Sequence, residues 1–338
     1  MFIEPREQVM VRGIKKGAAL AINQAAIANA PESFEKMQRV GPKVCLTTAN
    51  EPGFLGFHAF LQTGAHPLGG RFGAAKLINA DSMEAVMESP LNLRLDPLNL
   101  WQYTVWEDAE AHERMHYEQY ERIFELCAGC LDMVVDGPWE PVYRILEEDM
   151  PRLMGMTDVP RIMGQAMAQQ QQPPKIRLAM KRLVALGEHY VKEGGEQAFT
   201  DGVVRTLEKL KENAPGMIGW MLLEKQGESA LSTFQLAPPA FWECLETLGA
   251  NPPESRRTNY GEFGKDYNTP PIPIGGPKQY LVHTEWESPD TLLFGLTLTG
   301  VNPELRRIHD EGVMAHLARL PPYYRIFAPA MEDMIFFH

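Results

Sequence analysis

An α+β fold made of two tandem β-α-β-β-α-β units, backed against each other as one barrel-like domain, is what this sequence predicts. Three observations lead there. Short strings recur: "PGFLGF" at 52–57 returns as "PGMIGW" at 215–220, and "WED" at 106–108 returns as "WES" at 286–288. Each copy sits in the same order of patterns, a helical stretch, Pro-Gly, a strand-like run, then a second strand ending in Trp and a further helix. The chain has 338 residues, 44% of them hydrophobic, which suffices for a sizeable core.

Taken in order, "ESFEKMQRV" (32–40) and "EQAFTDGVVRTLEKLKENA" (196–214) carry helical periodicity. "FLGFHAFLQ" (54–62) and "MIGWMLLEK" (217–225) follow their Pro-Gly turns as strands, and "LWQYTVW" (100–106) and "KQYLVHTEW" (278–286) are the later strands. Such units form ferredoxin-like layers. Residues 1–150 make the first and 151–338 the second together with the C-terminal segment, the two packing as one structural domain of the dimeric α+β barrel type.

The helix after the first Trp is expected from Asp108 to about Val134, with Gly129 its only weak point. It opens with "HERMH", an H-E-x-x-H, and ends in "LCAGC". The two Trp strings are offset by 180 residues, which sets His112 against Leu292 and His116 against Leu296. Leucines at i and i+4 mark an inward stripe, so the histidines face inward too. Two imidazoles side by side in an apolar interior are costly unless something pairs them, and a metal is the economical partner.

Cys127 and Cys130 fall on the same helix face, but Cys127 is eleven residues beyond His116, roughly 16 Å along the axis at ~1.5 Å per residue. They cannot share a coordination sphere with the histidines. A third ligand must be a carboxylate or another histidine, and Glu140 in "GPWEP", expected in a turn with Pro138 and Pro141 on either side, is the marked candidate. Two histidines and a carboxylate with open positions suit non-haem Fe(II). The same atoms could hold zinc, with Glu113 as general base of a hydrolase, or form a merely structural site in a non-catalytic metal-binding shell protein. Arg114 inside the motif and the proline-flanked Glu140 disfavour the zinc-protease arrangement.

The net charge of −12 and the scatter of Lys and Arg predict no nucleic-acid or anionic-membrane partner. No signal-peptide core or membrane-length apolar run is present, and four cysteines are too few for a disulfide framework, so a cytoplasmic protein is expected. "GGRFGAA" near residue 70 lacks the G-x-G-x-x-G spacing of a dinucleotide site. Cys45 lies in "PKVCLTT", where Lys43 favours the thiolate. Whether Cys45 sits on a strand or at a helix start is open, as is whether Cys127 and Cys130 do more than pack.

With "VGPKVCLTTANEPGFLGF", "HERMH", "LCAGC", "GPWEPVYRI", "APGMIGWMLLE" and "YLVHTEW", the chain resembles the sulfur oxygenase reductases from about residue 20 to about residue 330. The resemblance implies dioxygen-dependent disproportionation of elemental sulfur or polysulfide to sulfite, thiosulfate and hydrogen sulfide. It implies a mononuclear non-haem iron on His112, His116 and Glu140, Cys45 as the catalytic cysteine carrying a persulfide, and Cys127 and Cys130 as a supporting pair near the sulfur pocket. It implies also no external organic cofactor and a large hollow homo-oligomer.

Overall fold

The structure, a computed structural model, describes residues 15–28, 30–33, 35–36, 48, 51–66, 76–77, 98–128, 133–150, 182–229, 276–319 and 324–329. In chain order the elements are β1 (Ala19–Ile27), β2 (Phe54–His66), β3 (Lys76–Leu77), β4 (Leu98–Trp106), α1 (Ala109–Ala128), β5 (Val134–Trp139), β6 (Pro141–Asp149) and β7 (Leu183–Val191). They continue with α2 (Glu196–Asn213), β8 (Met217–Glu228), β9 (Lys278–Trp286), α3 (Pro289–Val301), α4 (Pro303–Gly312), a 3₁₀ turn (Met314–His316), β10 (Leu317–Arg319) and β11 (Tyr324–Pro329).

All pairings are antiparallel, and the strand order runs β10-β7-β11-β2-β4-β1-β6-β8-β9. Because β7 pairs with β9 as well, the ladder returns to a strand it has already used, which gives the sheet its barrel-like form. This is the α+β, barrel-like arrangement that the recurring strings predict.

Strand alternation sorts the side chains. Leu20 and Ile22 of β1, Trp101, Tyr103 and Val105 of β4, Tyr143 and Ile145 of β6, and Leu186, Met221, Leu281 and Phe327 from the remaining strands fill one core on the inner face. On the opposite face Ala19, Ala21, Trp106 and Val142 meet Ala111 and Met115 of α1. The small alanines of β1 let the helix approach the sheet closely.

The recurring strings have matching geometry. Gly53 and Gly216, the glycines of the two Pro-Gly turns, have φ of +84° and +85°, where a side chain is strained. Their carbonyls accept from Glu107 N and Glu287 N, each at 2.8 Å. Trp106 Nε1 donates to Thr104 Oγ1 and Trp286 Nε1 to Thr284 Oγ1, each at 2.9 Å. The repeat is thus legible because the same turn, strand and helix junction is built twice.

Two expectations change. The helix begins where Asp108 caps it, its Oδ1 accepting from Ala111 N at 2.8 Å. It is assigned only to Ala128, however, and Val134 is already the first residue of β5. The β-branched pair Val134–Val135 favours the extended chain over continued helix. Glu140 does not lie in a turn. It interrupts what is otherwise one extended run, since β5 and β6 both pair with β1. Pro138 and Pro141 have no N–H for the ladder, so the pairing breaks between them. Among the described residues no helix is long and apolar enough to cross a membrane.

Candidate metal centre

α1 carries His112 and His116 one turn apart on the side that packs against β1, β4 and β6. Both are buried, as are Leu292 and Leu296 at the matching positions of α3, so the inward orientation expected of the histidines is what the structure has. The edge of the Trp106 ring meets His112, with centroids 5.5 Å apart, and limits how that imidazole can tilt.

The break between β5 and β6 delivers Glu140 to the same place. Its carbonyl accepts from Ser229 N at 2.8 Å, which ties this point of the chain to the end of β8. Glu140 is 3% exposed, and its carboxylate reaches both imidazoles: Oε1 is 3.2 Å from His112 Nε2 and Oε2 is 3.0 Å from His116 Nε2. The two Nε2 atoms are themselves 3.1 Å apart. All three residues thus offer a ligand atom within 4.8 Å of one another.

Hydrogen bonds alone leave this cluster incomplete. His112 Nε2 faces both Glu140 Oε1 and His116 Nε2, and one proton serves one of them. Glu140 Oε2 is buried and accepts no hydrogen bond despite its nearness to His116. A single cation answers all of these lone pairs at once. Ligand atoms about 3.0 Å apart are what bonds of ~2.1 Å meeting at about 90° produce, so the donor set fits a metal with two imidazoles and a carboxylate on one face.

Without a cation, the site is held by charge. Burial by itself lowers the pKa of His112, but the charge of the Glu140 carboxylate and the hydrogen bonds that the imidazole donates to Glu113 and Glu140 outweigh it and raise the pKa to about 9. Burial likewise pushes Glu140 up, and the two imidazoles more than reverse that, holding it well below the usual carboxylate range.

Glu113, the second residue of H-E-x-x-H, is in the sequence a candidate general base of a hydrolase. It is wholly buried, and its Oε1 lies 3.0 Å from His112 Nδ1, on the side of the ring away from the cluster. A carboxylate there keeps the proton on Nδ1 and leaves the Nε2 lone pair for a metal. Its place next to His112 was visible in the sequence; the direction of its side chain was not.

The remaining predicted residues are not placed. Cys45 and Cys130 lie outside the described residues, and Cys127 is on α1 with its side chain outside them. The structure brings together His112, His116 and Glu140.

Comparison with known proteins adds a family and a set of distant shapes. The chain matches the sequence profile of the sulphur oxygenase reductases over residues 16–337. Among solved structures it is similar to an anthrone oxidase-like protein, at 10% identity and a TM-score of 0.49 over 94% of this chain and 93% of that one. It is also similar to a protein described as a monooxygenase from Fusobacterium nucleatum, at 9% identity and a TM-score of 0.47 over 95% and 94% of the two chains.

Proposed function

The chain belongs to the sulphur oxygenase reductase family, and from that premise we propose that it uses dioxygen to disproportionate elemental sulfur or polysulfide at a mononuclear non-haem iron. The products are sulfite, thiosulfate and hydrogen sulfide. The observation that carries the reading is the buried convergence of His112 Nε2, His116 Nε2 and both Glu140 oxygens on one point. Iron, when bound by these residues, supplies redox chemistry and open coordination positions.

The residues of the chain do the rest. His112 and His116 present neutral Nε2 lone pairs, the first held in that tautomer by Glu113. Glu140 contributes the negative charge and fixes the angle between the rings. The apolar packing around α1, with Trp106 against His112, keeps water from the imidazoles. Cys45 as thiolate attacks an S–S bond of the sulfur substrate: a sulfur ring opens and stays whole on Cys45 as a chain ending in a sulfide anion, whereas a linear polysulfide leaves part of its chain on Cys45 and departs as a shorter polysulfide anion. Tethering of this kind retains a substrate that has no charge to recognise. Cys127 and Cys130 support that pocket. The protein works in the cytoplasm as a large hollow homo-oligomer.

The geometry of Glu113 separates this reading from a zinc hydrolase. A general base must stand beside the metal's open side, whereas Glu113 Oε1 lies behind the His112 ring on Nδ1. The test is incubation of the purified protein with sulfur and air, without added electron donors, while sulfite, thiosulfate and sulfide are measured alongside bound metal. Formation of all three with iron bound is expected. Zinc in place of iron, with peptide hydrolysis that continues under anaerobic conditions, would overturn it.

A further inference from the structure

Beyond the metal cluster, the inner face of the sheet contains a second buried polar group that the proposed chemistry does not use. Tyr103 of β4 and His283 of β9 are both fully buried, with Tyr103 OH 3.4 Å from His283 Nδ1. His283 Nε2 lies 3.2 Å from Glu285 Oε1, and Glu285 Oε2 accepts from Arg182 Nη2 at 3.1 Å. The four side chains form a line rather than a chelate, because the phenol and the carboxylate sit on opposite nitrogens of one imidazole. Around them lie Phe60, its ring 4.7 Å from that of Tyr103, and the other apolar residues of the inner core.

The order of the groups sets the protons. The Arg182 guanidinium keeps Glu285 ionised, so His283 places its proton on Nε2 and donates to Glu285. Nδ1 is then an acceptor, and it faces the Tyr103 hydroxyl. This is the logic of a serine, histidine and acid relay with a phenol in the place of the hydroxyl. Burying such a line is costly, because each polar group gives up water for it.

We propose that Tyr103 is a redox-active tyrosine, a one-electron donor whose hydroxyl proton passes to His283 as the electron leaves. The O–H bond breaks and an N–H bond forms at His283 Nδ1. The electron goes to a one-electron oxidant, and a neutral phenoxyl radical remains beside an imidazolium held by Glu285. Reduction returns both electron and proton. Burial, Glu285 and Glu188 raise the Tyr103 pKa well above that of an ordinary phenol, so the proton does not leave ahead of the electron.

Burial also shields the radical from solvent and from reductants. β4 joins this tyrosine to the metal cluster, since Trp106, three residues and ~10 Å further along the strand, packs on His112. In the working enzyme the oxidant would be one that dioxygen supplies at the metal centre, a source that rests on the function proposed above. The chemistry of Tyr103 and His283 does not.

The test therefore uses an external oxidant. Full-length, metal-loaded protein is photo-oxidised anaerobically with a tris-bipyridyl ruthenium complex and persulfate, frozen, and examined by electron paramagnetic resonance. A tyrosyl signal with hyperfine coupling to nitrogen-15 in histidine-labelled wild-type protein is expected, and this measurement needs no variant. The signal is lost in Tyr103→Phe, shrinks in His283→Gln, and persists in Tyr143→Phe, where another buried inner-face phenol is removed. Circular dichroism reports whether each variant is folded. A signal without histidine coupling, or one unchanged in folded Tyr103→Phe, overturns the proposal and leaves the four residues as a device that fixes strand register. Neither outcome touches the sulfur assay, so failure here and failure of the proposed function are told apart.

Discussion

Replacing Glu113 with Gln tests the metal centre at its support rather than at a ligand. The side chain is wholly buried and its Oε1 is 3.0 Å from His112 Nδ1. Glutamine keeps the volume and can still accept from Nδ1–H, but it removes the charge from that hydrogen bond. Hydrogen bonds to charged groups are worth about 1.5–3 kcal/mol and neutral ones about 0.5–1.5 kcal/mol, so the loss is ~1 to 1.5 kcal/mol, close to tenfold in metal affinity. Glu113→Ala removes the partner altogether and frees the ring to turn, which places it near the hundredfold end of the range known for such supporting groups. The assay is anaerobic titration of chelator-stripped protein with ferrous ion and, as a redox-silent probe, zinc, in competition with a chromophoric chelator. The reasoning fails if neither variant weakens metal binding. It fails too if Glu113→Gln binds metal normally yet loses all turnover, because that pattern belongs to a group acting on substrate or water.

Further expectations concern the ligands, the protons, the thiol and the helix layer. His116→Ala and Glu140→Ala each remove one of the three proposed ligands, and both should leave protein whose metal content by elemental analysis falls to a small fraction of wild type. Since a proton and a metal compete for His112, whose pKa is raised to about 9 by Glu140 and Glu113, apparent metal affinity should climb with pH until about 9 and then level off. In the metal-free protein the same group acts with the opposite slope. Its folded pKa exceeds the unfolded value of about 6.5, so its stabilisation is complete below that pH and is lost as pH rises through 9, which thermal melts in the presence of chelator would detect. Cys45→Ala should abolish sulfur turnover while the iron content stays at the wild-type level. Gly202→Ala places a Cβ 2.0 Å from the Gly312 carbonyl oxygen where α2 crosses α4, so denaturant titration should show a loss of about 1–3 kcal/mol or more, with metal affinity preserved.

Much of the architecture was legible because it is written twice. The Pro-Gly turns and the Trp strings repeat since each pair builds one junction, with a positive-φ glycine and a Trp-to-Thr hydrogen bond. From the same repeat, a histidine standing where the other copy has leucine marks an inward-facing position that carries a polar ring, and His112 and Leu292 are indeed both fully buried. Less was legible about Glu140. Two prolines suggested a turn, but they interrupt a ladder instead, and a missing N–H looks the same in sequence whichever of the two it does.

Sequence by itself determined the kinds of group available and their spacing along each element: two imidazoles one helical turn apart, a carboxylate between prolines, and strands whose alternate residues are apolar. These follow from local geometry, in which 3.6 residues make a helical turn and two make a strand repeat. Tertiary structure alone decided which of them meet. That Glu140 reaches both imidazoles and that Tyr103 faces His283 across the inner core depend on strands paired over long separations. Those distances are set by the register of the sheet, and register is a property of the assembled ladder rather than of any one strand.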